Sequence, residues 1–121
     1  MEQLINQTLF EEEIFRKQGR NQFDKIFLRA VDHAFSTLGV SSKVLLYRYL
    51  EEKCVLRREP FALETNSFAN TLEAIFGDFA SLLEIAIMHR LHQEIPTFLY
   101  TTKMNEAFSF SDYLDSIRSF L

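Results

Sequence analysis

The sequence predicts an all-α fold, a compact bundle of five to six helices around a central apolar helix at about residues 79–94. Three observations lead to this prediction. Only three glycines and two prolines interrupt the 121 residues, and they stand where the helical periodicity breaks. The clearest apolar repeats have three- and four-residue spacing. No segment shows the sustained alternation typical of a strand.

The first two predicted helices are separated by Gly19. Residues 3–18 carry apolar side chains at helical spacing. The next segment, up to Leu38, has the most regular stripe in the chain, and its polar residues lie largely off that stripe. Gly39 follows it as a left-handed cap residue. The stripe consists of Phe23, Ile26, Phe27, Ala30, Val31, Ala34, Phe35 and Leu38.

A third helix is predicted after Gly39, with Ser41 as its cap and an end at about Cys54. Cys54 is the only cysteine in the sequence, so no internal disulfide can form, and we expect a small buried side chain. Residues 55–66 contain Pro60 and have mixed polarity. They predict a loop with extended character.

The stretch LEAIFGDFASLLE, residues 72–84, joins two apolar segments through a Gly-Asp pair. Gly77 is predicted to end one helix and Asp78 to cap the next, because its carboxylate can accept from the free amides of the following turn. Phe76 and Phe79 flank the joint as packing residues. A phosphate loop would need several converging amides and usually a lysine. The joint is therefore predicted to be structural.

The helix that follows the joint is apolar on nearly all sides, since eight of the ten residues in FASLLEIAIM are apolar. Such a helix is predicted to be buried, or to face another subunit in part. Ile85 and Met88 are therefore interface candidates. Glu84 is the lone carboxylate, which must be paired, exposed or neutralised. Its predicted partners are Lys43, Arg48 or Arg90.

Two further helix starts are predicted from small polar residues. Asn66 or Ser67 can cap the helix that ends at Gly77. Ser111 can cap a short helix in the tail, residues 97–121.

Composition excludes several functions. The net charge of −4 and the pI near 5.4 give no general attraction to nucleic acids or anionic membranes. The N-terminus lacks the features of a signal peptide, and no apolar run is long enough to span a membrane. The sequence therefore predicts one cytoplasmic domain over residues 1–121 that acts on protein partners.

A helix-turn-helix remains the alternative, because a helix, a Gly-Val-Ser turn and a capped helix follow each other within residues 30–54. Phe35 stands where close packing of the helices favours a small residue, and Arg48 where an apolar one is expected. His89 and His92 share a helix face, but a metal site needs a third ligand. The sequence predicts no catalytic residue, metal or cofactor.

The central residues resemble the small helical output domains of archaeal signalling proteins, of the type called Nitrosopumilus output domain. The resemblance covers roughly residues 24–95 and leaves an N-terminal helix (1–20) and the C-terminal tail outside it. It implies a regulatory protein-interaction module without catalytic activity. The matching residues are Leu38-Gly39, Tyr49-Leu50-Glu51-Glu52, Pro60, Phe68, Leu72, Ile75-Phe76-Gly77 and Leu83-Glu84.

The sequence thus predicts a non-catalytic interaction or output module that self-associates, with a DNA-binding regulator as the alternative. Its physical basis is the thirteen phenylalanines, which carry no polar group, and an apolar helix that a small bundle cannot easily cover. The candidate structural or interface residues are Glu84, Gly39, Gly77, Asp78, Phe76, Phe79, Ile85 and Met88.

Overall fold

The computed structural model describes residues 22–101 and 107–121. This part of the chain is mostly helical, which confirms the all-α class in its coarse form. The predicted helix at residues 3–18 lies outside the described residues. The elements are α1 (22–36), α2 (Val40–Glu52), β1 (Leu56–Arg58), β2 (Phe61–Leu63), α3 (Thr65–Phe76), a 3₁₀ turn (Gly77–Phe79), α4 (Ala80–Glu94) and α5 (Phe110–Phe120).

Helix α1 supplies more of the core than any other described element. Its predicted stripe is confirmed, since every member is buried except Leu38, which lies partly exposed just beyond the helix. Phe27 is fully buried, stacks on Phe23 with ring centroids 5.5 Å apart and meets the edge of Phe68 at 5.6 Å. Such aromatic pairs stabilise a core beyond the area they bury. The centre of the fold is therefore α1 rather than the helix at 79–94.

Helices α1 and α2 are joined through Gly39, which has φ 95°. The predicted glycine with positive φ is confirmed, and a side chain at this position would strain the backbone. The predicted cap at Ser41 is wrong, because α2 begins at Val40 and its first turn has no side-chain cap. Lys43 donates its backbone N–H to the carbonyl of Gly39 at 3.0 Å. Gly39 is therefore the N-cap residue of α2.

Helix α2 ends in a turn that contains Cys54. Val55 donates its backbone N–H to the carbonyl of Leu50, and Cys54 donates to that of Glu51. These two bonds form a Schellman motif, in which the residue at the position of Cys54 is usually glycine. Cys54 has φ 58° and is exposed. The expected burial of this side chain is therefore wrong.

A short antiparallel hairpin replaces the loop expected at residues 55–66. Leu56 pairs with Leu63, and Arg58 pairs with Phe61. The Glu59-Pro60 peptide bond in the connecting turn is cis. Strands of three residues are too short to show an alternating pattern in the sequence.

The joint between α3 and α4 takes one residue more than the sequence predicts. Gly77 ends α3 with φ 58°, which confirms its predicted role. Asp78 does not cap α4, because it lies inside the 3₁₀ turn, and the residue before α4 is Phe79. Neither Asn66 nor Ser67 caps α3, since that helix begins at Thr65.

Helix α5 closes the bundle by packing on α3. Its cap is Ser109 rather than Ser111, because the Ser109 hydroxyl accepts the backbone N–H of Asp112 at 3.3 Å. Ser111 is buried one residue inside the helix. Between α3 and α5, the Thr65 hydroxyl donates to the Asp115 carboxylate at 2.9 Å. The tail therefore belongs to the same core.

Helix α4 is buried along only one face. Ala80, Leu83, Ile87 and Leu91 form its buried stripe. Other large apolar residues of this helix are exposed. Burial of α4 on all sides is therefore not observed within the described chain, and partial contact with another subunit, the alternative that the sequence left open, stays a prediction. The exposed side is the feature of the fold that bears most directly on function.

Candidate functional site

Large apolar side chains project into solvent around the α3–α4 joint. Phe79, Leu82 and Ile85 follow each other at three-residue spacing and are 71%, 63% and 57% exposed. Ile75, near the end of α3, is 44% exposed. We call these four residues the joint surface. Exposed apolar residues grouped in this way are typical of an interaction site, whereas scattered single residues are not.

The remaining interface candidates of the sequence lie beside the joint surface. Phe76 and Met88 are partly buried and pack against the core. Around α4, Met88 falls between Glu84 and Ile85, since successive residues are 100° apart. Phe76 is thus a packing residue as the sequence predicted, whereas Phe79 is not, because it is 71% exposed. Leu82 belongs to the joint surface too and was not singled out.

Glu84 borders the joint surface and does not form the expected ion pair. Lys43 binds Asp32, and Arg90 lies near Glu94, so within the described chain neither is paired with Glu84. Partial burial raises the pKa of the Glu84 carboxyl, and the negative charge of Glu73 raises it further. Two carboxylates thus share one edge of the joint surface. Their shared position makes this edge acidic.

A second exposed apolar surface lies on α2. We call it the α2 surface, and it consists of Val40, Val44, Leu45 and Tyr49. The opposite side of the helix carries its buried residues. At 100° per residue, Arg48 falls near the middle of the exposed arc. Nothing in the sequence pattern distinguished these four residues from core positions, because their exposure depends on which elements pack against α2.

The α2 surface does not favour DNA binding. The alternative function requires a basic cluster on this helix pair. Among the described residues, two cations lie at this surface, Arg48 in the exposed arc and Lys53 over the Tyr49 ring, and Glu52 falls beside Arg48. Lys43 is paired with Asp32 at 3.2 Å. The apolar side chains of this surface are more typical of a protein contact.

The histidines of α4 do not form a metal site with other described residues. His89 and His92 are both exposed, and a ring nitrogen of His89 lies 3.1 Å from the amide nitrogen of Gln93. Within residues 22–101 and 107–121, no group of three or more His, Cys, Asp or Glu side chains could hold a metal. The described contacts also give Glu84 no acid–base partner.

The described surface includes an aromatic cleft and an arginine-lined cleft. One is lined by aromatic residues from the end of α4 to α5, and Tyr100 and Tyr113 meet edge to face in it at 5.5 Å. The other lies between α1, α2, the hairpin and α4, and is lined by three arginines. Sequence reasoning missed both, because their residues come from segments that are distant along the chain.

Comparison with known proteins adds no relative to these observations. No family model matches the chain, and no curated protein or solved structure is similar to it. The resemblance to output domains therefore stays a prediction that rests on the motif residues. None of the helices in the described ranges is long and apolar enough to cross a bilayer.

Proposed function

We propose that this protein is a non-catalytic helical interaction module that binds a second copy of itself through the joint surface. The observation that carries the proposal is the exposure of Phe79, Leu82 and Ile85 on a helix whose opposite face is in the core. Burying one side chain of this size stabilises an association by roughly 1.5–3 kcal/mol. Leaving them all in water is unfavourable for a monomer and favours a partner.

Charge complementarity supports a second copy as that partner. The joint surface has Glu73 and Glu84 at its edge, while the α2 surface carries Arg48 and Lys53, with Glu52 beside Arg48. Within the described chain Arg48 forms none of the ion pairs. A twofold dimer can place the joint surface of each copy on the α2 surface of the other, so that both contacts form twice. Such an interface has an apolar centre and a charged rim.

The regulatory character of the module follows from the output-domain resemblance and is part of the same proposal. So are its cytoplasmic location and its description as a bundle of five to six helices. Self-association gives such a module a way to respond to concentration or to an attached domain. The proposal assigns no reaction to any residue.

Sedimentation velocity on the full chain tests the proposal. We expect concentration-dependent dimerisation that the double substitution Leu82→Ser and Ile85→Ser abolishes. Both positions are exposed, so the monomer should keep its fold, as circular dichroism can verify. Leu99→Ser is the matched control, because Leu99 is exposed outside both surfaces. Equal association of the double variant and the unmodified chain would contradict the proposal.

A charge exchange tests the choice of partner surface. Glu84→Arg and Arg48→Glu should each weaken the dimer, and the variant that carries both should regain most of the lost affinity. Regained affinity places the two residues across one interface, since distant sites give additive effects. Additive losses would show that the joint surface binds something other than the α2 surface.

A further inference from the structure

The arginine-lined cleft brings together basic side chains from three elements. Arg29 comes from α1, Arg58 from β1 and Arg90 from α4, and the cleft has a volume of about 500 Å³. His33, Tyr47 and Ser36 add polar groups to its walls, with Asp32 as the one carboxylate of the lining. The cleft does not include the joint surface. Its chemistry is therefore independent of the proposed dimer.

Two of the three arginines are hydrogen-bonded to a carboxylate. Arg29 binds both oxygens of Glu94, with Nη2 2.8 Å from Oε2 and Nε 3.2 Å from Oε1. Arg58 of β1 binds Glu51 at 2.7 Å, in the segment that the sequence predicts as a loop with extended character. These contacts use some of the five N–H donors of each guanidinium and leave others for a ligand. Glu51 thereby orients Arg58 before any ligand binds.

One buried donor has no acceptor in the described structure. The Nε of Arg90 is buried, and its nearest carboxylate oxygen, Oε1 of Glu94, is 3.6 Å away, too far for a hydrogen bond. The Nε atom has almost no accessible surface and is therefore not itself a ligand contact, but the Arg90 side chain is 39% exposed and lines the cleft. Because Arg90 forms no hydrogen bond within the described chain, its other N–H donors are available to an anionic ligand in the cleft.

The opposite wall of the cleft is neutral or balanced in charge. Lys43 offsets Asp32 at 3.2 Å. The guanidinium of Arg58 stacks over the Tyr47 ring, with 4.3 Å between Cζ and the ring centroid. Burial raises the pKa of the Tyr47 phenol, as does the nearby Asp32, so the phenol is protonated at neutral pH. The charged groups named for this cleft comprise four cations and three carboxylates, an excess of one positive charge.

We propose that this cleft binds a small phosphate monoester, with the phosphate oxygens on Arg58 and Arg90 and the organic group against Leu28, the partly exposed apolar residue of the lining. Guanidinium groups suit a phosphate because their parallel N–H donors match its oxygens. The volume exceeds that of a bare phosphate, which is why an esterified phosphate fits better than the free ion. Tyr47 and Ser36 supply hydrogen-bonding groups for the rest of such a molecule.

Titration of the full chain with phenyl phosphate, followed by isothermal calorimetry and by NMR shifts, tests this inference. We expect saturable binding at constant ionic strength, tighter than that of inorganic phosphate. Benzoate should bind more weakly than phenyl phosphate, because it offers fewer oxygens and less charge. Equal binding of benzoate would assign the cleft to carboxylates instead and overturn the proposal.

Substitutions locate the binding site. Arg58→Gln and Arg90→Gln should each weaken binding about tenfold or more, the effect expected for one charge-assisted hydrogen bond. Arg57→Gln is the matched control, since Arg57 neighbours Arg58 on the strand but does not line the cleft. Equal loss from all three substitutions would leave nonspecific charge attraction as the explanation. No loss from any of them would place the binding outside this cleft. Either result would overturn the proposal.

A further variant keeps the test decisive if an arginine substitution prevents folding. Glu94→Gln retains every arginine and removes the carboxylate that competes for Arg29 and Arg90. It should therefore bind phenyl phosphate several times more tightly than the unmodified chain. Unchanged or weaker binding in a folded Glu94→Gln protein would contradict the assigned site. Failure of phosphate binding leaves the dimer proposal untouched, because the two surfaces share no residue.

Discussion

Val55 donates its backbone N–H to the carbonyl of Leu50 at 2.9 Å and closes the turn that ends α2. The bond holds the intervening Cys54 at φ 58°. An L-residue in the left-handed region costs roughly 1–2 kcal/mol, whereas glycine enters it without steric strain but loses more chain entropy on folding. We therefore expect Cys54→Gly to raise the free energy of unfolding by about 0.5–1 kcal/mol.

Urea unfolding followed by circular dichroism measures this change. Cys54→Ala is the control, because alanine keeps the Cβ atom that causes the strain and should give no increase. A Cys54→Gly protein that is less stable than Cys54→Ala would show that the turn does not strain its central residue.

The aromatic centre of the core predicts a large effect for a single substitution. Phe27 is fully buried and contacts the rings of Phe23, Phe61 and Phe68. Phe27→Ala should cost about 3–5 kcal/mol, from lost burial and from the cavity that remains. Thermal and urea unfolding measure the loss. Leu99→Ala, at an exposed position, should change the stability by less than about 0.5 kcal/mol.

The raised pKa of Glu84 predicts how stability changes with pH. The folded state binds this proton more tightly than the unfolded state, so ionisation of Glu84 destabilises the folded chain as pH rises through the folded-state pKa. Glu84→Gln should therefore be more stable than the unmodified protein at pH 7, by no more than about 0.5 kcal/mol, the scale of an exposed like-charge pair.

The advantage of Glu84→Gln should disappear below the ordinary glutamate pKa of 4.5, where Glu84 is protonated in both states. Unfolding curves of dilute protein at several pH values provide the comparison, since dilution removes the contribution of dimerisation. An advantage that does not change with pH would mean that the carboxylate charge is not its cause.

The start of α5 predicts which serine stabilises the helix. The Ser109 hydroxyl caps the backbone N–H of Asp112, so Ser109→Ala should cost about 0.5–2 kcal/mol. Ser119→Ala, at an exposed position near the end of the helix, should be close to neutral. Thermal unfolding of both variants measures the difference in their stability. Equal stability of the two would show that the hydroxyl of Ser109 does not act as a cap.

Local patterns predicted the helical elements well and their contacts less well. The stripe of α1 has one clear period, and Gly39 and Gly77 are the residues best suited to positive φ, so these features follow from the sequence. The cap of α5 was misplaced, because Ser109 and Ser111 are chemically alike and two residues apart. The hairpin of β1 and β2 is not predicted, since strands of three residues cannot show a strand period.

The candidate sites depend on tertiary packing, which the sequence pattern does not specify. Leu82 and Leu83 are identical in type, yet one is exposed and the other buried. The pattern of α4 was apolar on too many sides to indicate which face meets the core. Arg29, Arg58 and Arg90 are separated by about thirty residues each, so only the folded chain reveals that they line one cleft.

The mass of the full chain in solution tests the central claim most directly. Sedimentation equilibrium over a wide concentration range should show a transition from the 14.3 kDa monomer to a species of twice that mass. The transition should move to higher concentration when Leu82 and Ile85 are replaced by serine. A chain that stays monomeric up to ~1 mM has an association free energy weaker than about −4.1 kcal/mol. That result would contradict the account.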